Sequence, residues 1–343
     1  MSLPILEKLL AAPGPVALCT VMQVKGSAPR HPGSWMLADA AGLVAGSVGG
    51  GKGEAKVLLT CREALADGRS RVLEVEMQGT EAEGADMVCG GTSRVLIEPL
   101  ASRDAYVAAR DLLLRGERAV LARRFSTGES AVLVGSGRWI PAAPDGVDSE
   151  AARRALDHGK PLYAPEAGFF YDPLLPPEKL LILGGGHVGR AIAALAPALG
   201  FAVTVADDRE EFLLPERFPA GVATLCGPYA EVVARFPFDA ATYVVIVTRG
   251  HLADLESLRA VLARGWRYAG LIGSRRKVRL LTEQVLADGF DRGKVESVHT
   301  PIGLDIGAET PEELAVAIVG ELVAVRRGVP HAGLSGRGKR SAS

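Results

Sequence analysis

The stretch LLILGGGHVGRAI in the second half of this chain constrains its fold more than any other feature. An apolar run, KLLILG at 179–184, leads into Gly184, Gly186 and Gly189 and then into a helical pattern at 187–200. Glycines in the spacing GxGxxG let the backbone turn tightly and approach an anionic ligand, and the N–H groups and dipole at the helix start favour negative charge. Further strand-like runs follow at 201–207, 222–227, 243–250 and 268–274, most of them separated by helical stretches. Continuous apolar strands alternating with helices predict a parallel sheet covered on both faces. Asp207 ends the second of these strands, 18 residues beyond Gly189, where a carboxylate can bond a ribose diol. The last helix has a clear start, with Thr310 and Glu313 spaced as a capping box around Pro311, and Gly328 marks its end.

The first half follows a different pattern. Strand-like runs at 17–24, 71–77, 92–99 and 119–125 mix with helical patterns at 54–67 and 103–115. The expected fold is therefore α/β, an N-terminal α+β domain followed by a Rossmann-like parallel-sheet domain. The boundaries read from the sequence are 1–160 for the first domain, 161–178 for a linker, 179–330 for the second domain, and 331–343 for a disordered tail. The linker reading rests on five prolines in PLYAPEAGFFYDPLLPPE, although its four aromatics suggest packing on a domain. The topology of the first half does not follow from these patterns.

Composition narrows the function classes. Lys and Arg total 39 against 40 for Asp and Glu, a formal net charge of −1, so no overall field draws nucleic acid or an anionic membrane. Aromatic residues are 5% of the chain, too few for a platform that stacks single-stranded nucleic acid. No apolar run approaches the roughly 18 residues of a membrane span. The start MSLPILEKLL lacks the apolar core of a signal peptide. Four scattered cysteines, without a CxxC pair, argue against a zinc or iron–sulfur site and for reduced thiols in the cytoplasm.

Several loops carry chemistry. GSVGGGKGE at 46–54 satisfies most of a phosphate-loop motif, but Gly53 stands where a hydroxyl residue must hold magnesium, which argues against nucleotide hydrolysis. The residual expectation is a nest of N–H donors at Gly49, Gly50 and Gly51, with Lys52 adding charge, able to hold an anionic group. GSAPRHPGSW at 26–35 is stiffened by prolines and offers Arg30 to a phosphate or carboxylate. Cys89 in DMVCGG precedes two glycines that would let a bulky ligand approach; from the residues alone, a packed structural cysteine is the stronger reading. Cys19, Cys61 and Cys226 lie inside apolar patterns and read as structural. In the second half His187 fills a variable position of the glycine motif. TRGHLAD brings Arg249, His251 and Asp254 to the carboxyl edge of the predicted sheet, where ligands bind in open α/β folds. In GSRRK, Ser274 can cap a helix whose first turn holds Arg275, Arg276 and Lys277; cations there oppose the helix dipole unless an anion compensates.

In combination, GSAPRHPG, GSVGGG with Glu54, MVCGG, GGGHVG, TRGH with Asp254, GSRRK and PIGLDIGAETPEE resemble the XdhC/CoxI family, accessory proteins of xanthine dehydrogenase and related molybdenum hydroxylases. The pieces occur in family order across 17–327. The resemblance implies a non-catalytic chaperone that binds molybdenum cofactor (molybdopterin) as cargo, supports its sulfuration with a cysteine desulfurase, and delivers it to the client enzyme. It further implies Cys89 as the contact for molybdenum or sulfur, and Arg30 with the turn at Gly49–Gly51 as contacts for pterin and phosphate. Lys52 and Gly53 depart from the family, which usually has a small or apolar residue or a cysteine at the first of these positions. Two other readings stay open, an NAD(P)-dependent oxidoreductase using Gly184, Gly186, Gly189 and Asp207, and a regulatory nucleotide-sensing module. A homodimer also stays open.

Overall fold

The computed structural model describes residues 2–76 and 91–329. They form two compact units, one ending at Pro176 and the other beginning at Pro177. Among the described residues no helix is long and apolar enough to cross a membrane.

The first unit is built on two five-stranded antiparallel sheets. One contains β1 (Ala17–Lys25), β2 (Trp35–Ala38), β3 (Leu43–Gly46), β4 (Arg71–Glu76) and β5 (Thr92–Pro99), in the order β3-β2-β1-β5-β4. The other contains β6 (Ala119–Arg124), β7 (Ser130–Val134), β8 (Trp139–Ile140), β9 (Leu162–Ala164) and β10 (Phe169–Leu174), in the order β8-β7-β6-β10-β9. Residue alternation sends Leu18, Trp35, Leu37, Leu121 and Val132 into one shared core, which α1 (Ser2–Ala11) and α3 (Asp104–Leu114) complete with Leu6, Leu9, Tyr106 and Leu112. Helix α2 (Gly51–Asp67) packs on the other face of the first sheet, over Cys19, Val21, Met36 and Ile97. Helix α4 (Ser149–His158) packs on the other face of the second, over Val120, Ala122, Phe169 and Tyr171.

The segment 161–178 corrects the linker reading. It supplies β9 and β10, and Phe169, Phe170 and Tyr171 are fully buried. Its prolines misled because a proline is tolerated where a strand edge has no partner. Pro173 pairs with Val120 on β6 but lies beyond Tyr171, the last β10 residue paired to β9.

The second unit is a Rossmann-like domain. Strands β11 (Glu178–Leu183), β12 (Phe201–Asp207), β13 (Ala223–Cys226), β14 (Tyr243–Ile246) and β15 (Tyr268–Leu271) are all parallel, in the order β13-β12-β11-β14-β15. One face packs Leu180, Ile182, Val205 and Val245 against α5 (His187–Leu195) and α10 (Pro311–Arg327). The opposite face packs Leu181, Leu183, Val244 and Ile246 against α6 (Tyr229–Arg235), α7 (His251–Leu262), α8 (Arg275–Ala287) and the short α9 (Arg292–Glu296). Burial on both faces explains why these strands read as unbroken apolar runs. The capping box of Thr310 and Glu313 starts α10, and Gly328 closes it in the left-handed conformation.

Candidate functional site

In the first unit, two connections meet at one pocket. The loop from β1 to β2 brings Arg30, Gly33 and Ser34, and the end of β3 brings Gly46 and Ser47. With Ile5 and Trp35 they line a cavity of about 300 Å³. Gly46 has φ 76°, and a Cβ there would lie 2.2 Å from the Trp35 carbonyl oxygen, so this corner of the pocket admits only glycine. Gly91, the last residue of the MVCGG motif, packs against the loop's first turn; a Cβ on it would lie 2.2 Å from the Ser27 carbonyl oxygen. Cys89 itself lies outside the described residues.

The glycine-rich turn differs from the expected open nest. Glu54 reaches back from the first turn of α2, and its Oε2 accepts hydrogen bonds from Ser47 Oγ at 2.7 Å, Val48 N at 3.1 Å and Gly50 N at 3.2 Å. Gly49 N donates to Ser47 Oγ at 3.2 Å. The N–H groups of Gly49 and Gly50 therefore serve internal oxygens, in the manner of a capped helix start, rather than an external anion. Gly51 and Lys52 open α2. Arg30 is exposed at the mouth of the pocket.

Behind Trp35 lies a cluster that the sequence reading missed. Arg123, fully buried on β6, crosses between the sheets to Glu98 on β5 at 3.0 Å and to Thr20 Oγ1 on β1 at 2.5 Å. Its second terminal nitrogen donates to Asp172 on β10 at 3.1 Å, and Trp35 Nε1 donates to the same Asp172 oxygen at 2.6 Å. The other Asp172 oxygen would lie 3.2 Å from a Cβ on Gly33, so the cluster reaches the underside of the Arg30 loop. Burial pushes Glu98 up to about 7 and Asp172 up to about 6, against the pull of Arg123. The available sequence signal was charge at inward positions of a strand. In AVLARR, alternation from Ala119 and Leu121 puts Arg123 on the same face, but the adjacent Arg124 hides which arginine is inside.

In the second unit the glycine motif holds the turn together. Gly184 has φ 119°, and a Cβ there would lie 2.4 Å from the Val247 carbonyl oxygen; on Gly189 it would lie 1.8 Å from the Gly184 carbonyl oxygen. Gly186 caps α5 and has nothing within 4 Å of its Cβ position, while His187 begins the helix and is exposed. Asp207 is fully buried, and both of its oxygens are engaged. Arg209 binds them at 2.9 and 3.1 Å, the Arg209 amide at 3.1 Å, and the Gly185 amide at 2.8 Å. Burial works against the Asp207 carboxylate, but Arg209 and the Gly185 amide outweigh it and hold it below its usual range. A ribose diol would have to share or displace these partners. The sequence places Arg209 near Asp207 as a partner for a 2′-phosphate; in the fold it instead turns back onto Asp207 itself.

The adjacent loop carries Arg249 and His251, both exposed. It follows β14, the neighbour of β11 at the point where the strand order reverses. Buried Asp254 accepts from Thr248 Oγ1 at 2.6 Å and forms an ion pair with Lys277, tying the TRGH loop to the GSRRK loop. Lys277 thus has the carboxylate partner that a cation in a first helical turn requires, while Arg275 sits exposed beside it. A third buried carboxylate, Glu321 on α10, accepts from Gly303 N at 2.6 Å and Tyr268 OH at 2.9 Å, and meets His299 Nδ1 at 2.7 Å. It fastens the loop ahead of α10 to the sheet.

Comparison with known proteins gives a consistent picture. A family model described as the XdhC Rossmann domain matches residues 180–322, and one described as the XdhC and CoxI family matches residues 9–76. YqeB of Escherichia coli (strain K12), described as uncharacterized, is 27% identical over 92% of this chain; the chain spans only 44% of YqeB. A Bacillus subtilis (strain 168) protein described as a probable xanthine dehydrogenase subunit is 27% identical over 94% of this chain and 97% of its own length. The molybdenum cofactor insertion chaperone PaoD of Escherichia coli (strain K12) is 27% identical over 93% of this chain and 86% of its own. The crystal structure of a protein described as a xanthine dehydrogenase from Bacillus halodurans superposes with a TM-score of 0.83, at 25% identity, covering 96% of this chain and 97% of that one.

Proposed function

This chain belongs to the XdhC/CoxI family, and from that premise we propose that it is an accessory chaperone for a molybdenum hydroxylase such as xanthine dehydrogenase. In this reading it binds molybdenum cofactor as cargo, supports its sulfuration with a cysteine desulfurase, and hands it to the client. The observation that carries the reading is the similarity to PaoD, a molybdenum cofactor insertion chaperone, over 93% of this chain. The similarity to a probable xanthine dehydrogenase subunit supports the choice of client.

The pocket of the first unit suits such a cargo in part. Molybdopterin has a flat pterin, a phosphate and a dithiolene that holds the metal. Trp35 supplies a rigid apolar wall fixed by Asp172, and Arg30 supplies a cation at the mouth. Glu54 already fills the glycine turn, so the phosphate contact falls to Arg30 rather than to Gly49 and Gly50. Cys89, two residues before Gly91, is the soft ligand proposed for molybdenum or sulfur. A single thiol, unlike a closed cage, lets the cargo leave. The alternative, an NAD(P)-dependent oxidoreductase, draws support from the open backbone at Gly186, but the commitment of both Asp207 oxygens weighs against it.

The test is anaerobic purification from cells that make the cofactor, with molybdenum, pterin and nicotinamide measured per chain. Near-stoichiometric molybdenum and pterin, together with activation of an added apo molybdenum hydroxylase, is the expected result. Absence of both from the protein, with no activation, would overturn the proposal.

A further inference from the structure

Cys19 and Cys61 are both fully buried, and their sulfurs stand 3.0 Å apart. They come from separate elements. Cys19 lies on the central strand β1, between Met36 and Ile97 of the neighbouring strands. Cys61 belongs to the buried stripe of α2, with Val57 and Ala64 at helical spacing. The packing of a helix on a sheet thus aims two thiols at one point, and about 1 Å of approach separates this contact from the length of a disulfide bond. The segment between the two residues carries the Arg30 loop and the turn held by Glu54, which are walls of the pocket described above.

We propose that Cys19 and Cys61 form an oxidation site at which hydrogen peroxide closes a reversible disulfide clasp around residues 20–60. Peroxide is small enough to reach the buried pair through local opening of α2. Cys61 is the attacking sulfur. The hydrogen bond between the thiols, with burial, pushes Cys19 up, while the same bond draws Cys61 down. The Cys61 thiolate attacks one peroxide oxygen, the O–O bond breaks, and the departing hydroxide takes a proton to become water. The resulting sulfenic acid is then attacked by the Cys19 sulfur. The S–O bond breaks as the S–S bond forms, and the hydroxyl leaves with the Cys19 proton as a second water. In sum, two thiols lose two hydrogens and one peroxide becomes two waters. Thiol–disulfide exchange with a dithiol reverses the clasp. Closure pins α2 to β1 and restricts the unfolded chain across the whole enclosed segment.

The experiment treats the folded full-length chain with stoichiometric hydrogen peroxide, then quenches, denatures, alkylates, digests and analyses it by mass spectrometry. The expected product is a peptide pair joining Cys19 to Cys61, two hydrogens lighter than the free thiols and released by dithiothreitol. The oxidised protein should melt several degrees higher than the reduced one, and Cys61→Ser should abolish both the product and the shift. Recovery of Cys19 and Cys61 as alkylated free thiols after the exposed Cys226 has been fully oxidised would overturn the proposal. Linkage of either residue to a different cysteine would do the same. If Cys61→Ser fails to fold, the mass spectrum of the wild-type chain decides alone.

Discussion

Replacing Arg123 by methionine tests the buried cluster of the first unit. Methionine keeps much of the side-chain length and removes the only cation that contacts Glu98 and Asp172 among the described residues. In the native protein the two carboxyls titrate near 7 and 6, above their usual 4.5 and 3.8. A raised folded-state value means that this pair's contribution to stability is fully present below about pH 4 and is lost as pH rises through 6 and 7. Without Arg123 burial acts unopposed and pushes both carboxyls above their native values. Each pH unit above the native value through which a carboxyl stays neutral costs about 1.36 kcal/mol more than the native arrangement, which reaches about 4 kcal/mol at pH 8 when both stay neutral to that pH. That figure falls in the range of about 3–5 kcal/mol seen when one partner of a buried ion pair is removed. At pH 5 the carboxyls are largely protonated in both proteins, so their contribution to the difference falls close to zero, and the lost packing is set against relief from burying the Arg123 guanidinium. Urea unfolding followed by tryptophan fluorescence measures this. Trp35 is bonded to the cluster, and Trp266 in the second unit serves as an internal reference. The Arg123→Met chain should be several kcal/mol less stable at pH 8 and nearly native at pH 5. A loss below about 1 kcal/mol at pH 8, or an equal loss at both pH values, would refute the reasoning.

Other outcomes follow from the same geometry. Gly189→Ala places a Cβ 1.8 Å from the Gly184 carbonyl oxygen and should abolish soluble expression or lower the melting midpoint steeply, whereas Gly186→Ala, with open space at that point, should melt like the wild type. Glu54→Ala removes the acceptor of three hydrogen bonds and should cost about 1–3 kcal/mol in chemical denaturation, with faster amide exchange at Val48 and Gly50. Arg30→Ala and Cys89→Ser should each lower molybdenum and pterin per purified chain while leaving the melting midpoint near the wild-type value; full occupancy in both would remove the pocket and the thiol from the proposed role.

Features that depend on neighbours along the chain were legible in the amino-acid order. GGGHVG needed only a strand before it and a helix after it, and Gly184 and Gly189 pack as tightly as the motif requires. The capping box at Thr310 and Glu313 spans one helical turn, so its residues sufficed to place the start of α10. The unbroken apolar runs of the second half reported burial on both faces of their strands. Features whose partners are far apart in the chain became visible only in the fold. Glu98, Arg123 and Asp172 meet only when two sheets stack, and no local pattern states which of Arg123 and Arg124 faces inward. The same holds for Cys19 and Cys61, which read as unrelated core residues until α2 lies on β1. Prolines hid β9 and β10, since a strand whose edge is partly unpaired can carry a residue that a fully paired strand rejects. Glu54 and Arg209 lie close in sequence to the groups they bind, but many rotamers compete for each side chain. Only the folded loops showed that the glycine turn and Asp207 were already occupied from within.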